Sequence, residues 1–172
     1  MQKEECICCR KPKATLECEV CNEMVCKGCS QALDQATFAF REAIPEILTH
    51  NLYCSACYDQ HVAPELDAYN EILDRAREVF VFFTTQRKEI PLIRRSKETF
   101  QVKNNNDRDE TILRLGYFAA KDNYNAITEV NVFAEKVRNG GYQTSTWQGS
   151  GIPALVDADK MEQQDRVNEI YR

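Results

Sequence analysis

The chain has 172 residues, room for one ordinary domain or two small ones. Its 43% hydrophobic and 28% charged content is that of a soluble globular protein, not of a disordered or membrane-spanning chain. A net charge of −5 counts against nucleic acid as a partner, because binding phosphates requires a basic surface.

The nine cysteines all fall within the first 57 residues. The opening, Met1 to Cys6, lacks the apolar stretch of a signal segment. The longest apolar run, Val79 to Phe83, is far below the roughly 20 residues needed to span a bilayer. The expected location is therefore cytoplasmic. There, thiolate–metal chemistry is favoured over disulfides.

In chain order, residues 1–30 carry too few periodic apolar residues to fold on a hydrophobic core. From Gln31 to Asn51 the spacing of Leu33, Ala36, Phe40, Ile44 and Ile47 predicts a helix, broken or restarted at Pro45. After Cys57, Pro64 suits the first turn of a second helix, and Leu66, Tyr69, Leu73, Ala76 and Phe80 form its apolar stripe. The β-prone run from Val79 to Thr85 reads as a strand, the alternative being the tail of that helix. A further strand includes Thr99 to Val102, and Lys103 to Asp107 reads as a loop. Asp107 and Glu110 resemble a capping box for a helix to about Lys121, with Ile112, Leu115 and Ala119 on one face. Alternation from Ala126 to Ala134 predicts a strand, Asn139-Gly140-Gly141 a hairpin turn, and Tyr142 to Gln148 the return strand. Gly149 to Pro153 is expected to interrupt the pairing and Ala154 to Val156 to resume it. Asp159 to Arg172 reads as a weakly amphipathic helix.

Eight of the cysteines form the pairs Cys6/Cys9, Cys18/Cys21, Cys26/Cys29 and Cys54/Cys57. Two intervening residues let a tight turn aim both thiolates at one ion. Zinc takes four such ligands tetrahedrally, so four pairs make two closed sites with no position left for water. Such sites are structural. Only four residues separate Cys21 from Cys26, which suits adjacent pairs that serve different ions.

The stretch from Cys18 to Ser30, with Leu52 to Cys57, resembles the FYVE-type zinc fingers over about residues 1–60. The resemblance implies a cross-braced, treble-clef-like module. In it Cys6, Cys9, Cys26 and Cys29 share one zinc, and Cys18, Cys21, Cys54 and Cys57 share the other. The sequence departs from the family where phosphoinositide binders are basic. Thr15-Leu16-Glu17-Cys18-Glu19 precedes and enters the second pair, and Leu52 and Tyr53 precede the last. An anionic headgroup would meet glutamates, so membrane lipid is disfavoured. Cys8, His50 and His61 stand as substitutes for a ligand.

The remainder holds no catalytic set. Ser145, Thr146 and Ser150 have no histidine nearby in sequence, and Gly149-Ser150-Gly151 is no phosphate loop. Asp157 and Asp159 suit a helix cap better than a cation site. Ala119-Ala120, Tyr124 to Val130 and Gly149 to Ala154 resemble YbjQ-type domains over about residues 78–157. These are small α+β domains that form ring-like oligomers, so the resemblance implies that fold and self-association.

The expected architecture is α+β: a two-zinc module at 1–61, a connecting helix at 62–78, and an α+β domain with an antiparallel sheet at 79–172. The expected function is that of a non-enzymatic scaffold whose zinc module presents a surface to a protein partner. The alternatives are membrane recruitment through a phosphoinositide and a RING-like ubiquitin-ligase module.

Overall fold

The computed structural model describes residues 4–86 and 89–163. The chain mixes helix and strand and forms two compact units that divide inside a helix, between Glu71 and Ile72. No helix among the described residues is long and apolar enough to cross a membrane.

The first unit contains two small antiparallel ladders. Strand β1 (Leu16–Glu17) pairs with β2 (Met24–Val25), and β3 (Ser30–Ala32) pairs with β4 (Leu52–Cys54). One of its buried clusters comprises Cys6, Cys18, Val25, Cys26 and Cys54. Four of those five are cysteines, so this end of the unit is held around thiols rather than around aliphatic side chains.

The helix predicted for Gln31 to Asn51 does not form. Its start, Gln31 and Ala32, belongs to β3, and beyond that the segment has two 3₁₀ turns, Gln35–Phe38 and Glu46–Leu48, around irregular chain. Asp34 accepts a hydrogen bond from the Ala36 amide at 2.8 Å, which fixes a tight turn at the start, and Pro45 begins the second turn. The side chains buried are Leu33, Phe38, Phe40 and Leu48, whereas Ala36 and Ile44 stay exposed. The buried set does not follow one helical face, because Phe38 and Phe40 both engage Tyr69. Phe38 meets Tyr69 edge to face at 5.3 Å, and the Phe40 amide donates to the Tyr69 hydroxyl at 3.3 Å. The Arg41 guanidinium lies 4.9 Å from the centre of the Phe38 ring and pairs with Glu65 at 2.8 Å.

Helical chain starts earlier than the sequence predicts. A short α1 (Ser55–Cys57) leads through one π turn (Tyr58–Val62) into α2 (Ala63–Arg77). Pro64 explains the π turn. A proline lacks an amide hydrogen and its ring crowds the carbonyl four residues back. A wider turn ahead of it, with the Ala63 amide donating to the Tyr58 carbonyl, opens that space. The α2 stripe is core-facing at Tyr69, which meets Phe38 in the first unit. It is core-facing again at Ala76, in the second.

The second unit is a five-stranded sheet covered by α3 (Arg108–Lys121). Its strands are β5 (Phe80–Phe83), β6 (Leu92–Arg95), β7 (Phe100–Asn105), β8 (Ala126–Asn139) and β9 (Tyr142–Val156). The β8–β9 hairpin is its spine, closed by Gly140 and Gly141 with Asn139 opposite Tyr142; Gly140 has φ +61°. β9 pairs with β6 and β7 on its other edge, and β5 joins β8 in parallel. The sheet is therefore mixed, because β6, β7 and α3 supply a connection long enough to bring β8 back alongside β5 in the same direction. Asp107 caps α3 by accepting from the Glu110 amide at 2.7 Å. Glu110 reaches back to the Asn106 amide, at 2.8 Å, one residue earlier than in the usual box.

Three expectations for this unit change. The sheet is not antiparallel throughout, because β5 runs parallel to β8. β7 runs on to Asn105, through most of the presumed loop. β9 is continuous through Gly149 to Pro153, and the irregularity sits across from it, as a bulge in β8 between Thr128 and Asn131. The glycines mark close packing, not a break. A Cβ on Gly149 would lie 2.7 Å from Thr111 Cγ2, and one on Gly151 would lie 2.4 Å from Ile127 Cγ2. Residues 158–163 are helical, and the Asp157 carboxylate accepts from the Lys160 amide at 3.2 Å, as a cap does. The remainder of the helix predicted for Asp159 to Arg172 lies outside the described residues.

Candidate metal centres

The fold gathers eight thiols into two groups of four. Cys6, Cys9, Cys26 and Cys29 form the first group, and Cys18, Cys21, Cys54 and Cys57 the second; within each, the sulfurs lie within 4.8 Å of one another. Pairs one and three thus meet, as do pairs two and four. Cys8 is exposed and belongs to neither group. His50 and His61 also lie outside them, and His50 faces Glu19, with Nδ1 3.5 Å from its carboxylate.

Both groups are built by the same local device. At the first two pairs the amide four residues beyond the leading cysteine donates back to its carbonyl: Arg10 to Cys6 and Asn22 to Cys18, each at 2.8 Å. Arg10 and Asn22 both have positive φ, +57° and +59°, which turns the chain sharply just after the second thiol. The residue after the leading cysteine then ties its turn to the strand that delivers the other pair. Ile7 donates to Met24 O at 2.9 Å, two residues before Cys26. Glu19 donates to Leu52 O at 3.0 Å, two residues before Cys54. This repeated construction is invisible in the sequence beyond the cysteines. Asn22 is a residue that tolerates positive φ, but Arg10 gives no such signal.

Burial within each pair is graded. The leading thiols, Cys6, Cys18, Cys26 and Cys54, are buried, whereas their partners reach the surface side and Cys21 is exposed. The sulfurs are free thiols, not disulfides. The Cys9–Cys26 and Cys21–Cys54 sulfur separations are 3.7 and 3.9 Å. Four sulfurs placed tetrahedrally about 2.3 Å from one ion lie about 3.8 Å apart, so this spacing fits a tetrathiolate metal site. Backbone amides also aim at the sulfurs, Cys26 N–H at Cys6 Sγ (3.3 Å) and Cys57 N–H at Cys54 Sγ (3.5 Å). Such donors stabilise a negatively charged sulfur.

The electrostatics of the thiols are divided. Amides of Cys9 and Cys26 lower the Cys6 thiol to about 6. Burial pushes Cys18 up, but the amides of Cys21, Cys54 and Val20 outweigh it and bring it down to about 6. Burial also opposes ionisation of Cys26, yet the Cys29 and Cys9 thiols beside it bring it down. Three other thiols move the other way. Cys29, beside Cys26 and Cys9, is pushed up to about 12, while burial raises Cys21 and Cys57. Some sulfurs in each group ionise readily and then hold their neighbours protonated. A cation at the centre of each group would favour the thiolate state of its sulfurs.

Compared with known proteins, the chain matches no family, no curated protein and no solved structure. What the fold and site define is a chain of mixed helix and strand with antiparallel ladders and two cysteine clusters able to hold metal ions, compatible with a double zinc finger.

Proposed function

We propose that both clusters hold zinc and that the first unit is a cross-braced, treble-clef-like module of FYVE type. The chain would then act as a non-enzymatic scaffold whose zinc module presents a protein-binding surface. The observation that carries this reading is the convergence of alternate Cys-x-x-Cys pairs into two all-thiol groups. All-sulfur ligation is the donor set of structural zinc and leaves no open position for a substrate or an activated water. Bound zinc supplies folding free energy where aliphatic core is scarce.

Glu17 and Glu19, beside Cys18, argue against a lipid headgroup. Glu19 is also committed to the Asn51 amide at 2.9 Å. Self-association through the second unit belongs to the proposal and rests on the YbjQ-type resemblance; light scattering on the purified chain tests it. The central test is metal analysis of unchelated protein together with a pull-down comparing the intact chain with a Cys-to-Ser variant of each cluster. About two zincs per chain, and a partner lost with either cluster, support the reading. Metal-free protein with an intact fold, or turnover of a substrate abolished by changes outside the cysteines, overturns it.

A further inference from the structure

The two ladders of the first unit join cysteine pairs that serve different groups. The β1–β2 ladder sets Glu17 opposite Met24, which places pair two beside pair three. The β3–β4 ladder sets Ser30 opposite Cys54, which places pair three beside pair four. Yet pair three belongs with pair one, and pair two with pair four. Pairs that share a group must be held together by other bonds.

Backbone bonds do this alike in both groups, from Ile7 N–H to Met24 O at 2.9 Å in the first and from Glu19 N–H to Leu52 O at 3.0 Å in the second. The side chains then differ. Ile7 is aliphatic and offers no polar atom. Glu19 turns its carboxylate to the same stretch of chain that its amide grips. Its Oε2 accepts from the Asn51 amide at 2.9 Å and lies 3.5 Å from His50 Nδ1. From the position next to Cys18, Glu19 therefore holds the run His50-Asn51-Leu52 just ahead of Cys54. The far end of this clamp is itself anchored. The His50 ring meets the Tyr53 ring edge to face at 6.2 Å, and Tyr53 is fully buried and donates to Ile47 O at 2.8 Å.

We infer that Glu19 is a positioning residue for the second metal centre: its carboxylate sets pair four against pair two and raises metal affinity there, not at the first centre. The inference rests on the zinc reading. Metal binding and folding are coupled in such a module, so a bond that favours the folded arrangement of one site strengthens the metal at that site. A hydrogen bond to a charged acceptor is worth about tenfold at the low end of its range, and 42% exposure keeps the Glu19 carboxylate at that end or just below it. The carboxylate acts here as an acceptor rather than as a charge. Glu17 flanks Cys18 on the other side with the same charge, but it lies in β1 opposite Met24.

The test loads the full-length chain with ¹¹³Cd and titrates it with EDTA. Each cadmium resonance, assigned through its cysteine couplings, reports one centre. In Glu19→Ala the second centre should lose its metal at an EDTA concentration at least about fivefold lower than in the parent, with the first centre unchanged. Glu19→Gln keeps an oxygen for the Asn51 amide and should hold cadmium more tightly than Glu19→Ala. Glu17→Ala removes a charge beside Cys18 without touching the clamp and should stay within about twofold of the parent. The inference is overturned if Glu19→Ala holds cadmium at the second centre as the parent does, or if both centres weaken equally. It is equally overturned if Glu19→Gln is as weak as Glu19→Ala, or if Glu17→Ala weakens the second centre as much. A parent chain with no all-sulfur cadmium resonance would overturn the zinc reading itself, and this inference with it.

Discussion

Replacing Cys18 with serine removes one ligand of the second cluster and leaves the first intact. Cys18 is fully buried, and the amides of Cys21, Cys54 and Val20 lower its thiol to about 6. Serine is close in size and can still accept those hydrogen bonds, but its hydroxyl does not ionise to replace a thiolate. Structural zinc contributes about 10–16 kcal/mol of apparent binding free energy in small modules. One ligand in four is then worth about 3 kcal/mol, or roughly a hundredfold in affinity. Cobalt titration followed through sulfur-to-metal charge transfer should show two tight equivalents in the parent chain. In Cys18→Ser one tight equivalent should remain, with the second weakened by about that factor. The sole tryptophan, Trp147, lies in β9 of the second unit, so its fluorescence reports that unit. Its thermal transition should be unchanged. Two tight equivalents in the variant, or an equal fall in the Trp147 transition, would refute the reasoning.

Proton release provides a second check. Cys21 and Cys57 have raised pKa values, so both are protonated at pH 7 in the metal-free second cluster and must lose protons when metal binds. Affinity at that cluster should therefore fall as pH falls, by at least about a hundredfold per unit between pH 8 and 7. Titrations in buffers of different ionisation enthalpy should count at least those two protons, and a pH-independent affinity would contradict the assignment. In the second unit, Gly151→Ala places a methyl 2.4 Å from Ile127 Cγ2 and 3.2 Å from Val130 Cγ2 and should cost about 1–3 kcal/mol in urea denaturation. Gly141→Ala, with nothing within 4 Å of the new methyl, should stay within about 0.5 kcal/mol of the parent.

The cysteine groups were legible because the chemistry of a tetrathiolate site depends on a short local spacing, and that spacing is written directly in the chain. Asp107 was legible for the same reason, since a helix cap acts over three residues. Gly140 and Gly141 were too, since a two-residue hairpin closes locally. The misreadings arose where a distant partner decides. Leu33 to Ile47 has helical spacing, but Phe38 and Phe40 are both drawn inward, Phe38 against the ring of Tyr69 and Phe40 through its amide to the Tyr69 hydroxyl. Gly149 and Gly151 looked like a break because local propensity cannot reveal that Thr111, Ile127 and Val130 occupy the space beside them. The bulge at Glu129 had no local signal at all, since glutamate is a poor residue for positive φ.

The central claim is that alternate cysteine pairs share an ion. Substituting ¹¹³Cd for the bound metal and correlating each cadmium resonance with cysteine β-protons tests it directly. The account predicts two resonances in the all-sulfur range. One should couple to Cys6, Cys9, Cys26 and Cys29, and the other to Cys18, Cys21, Cys54 and Cys57. A cadmium coupled to both Cys9 and Cys21, or to His50, His61 or Cys8, would contradict it.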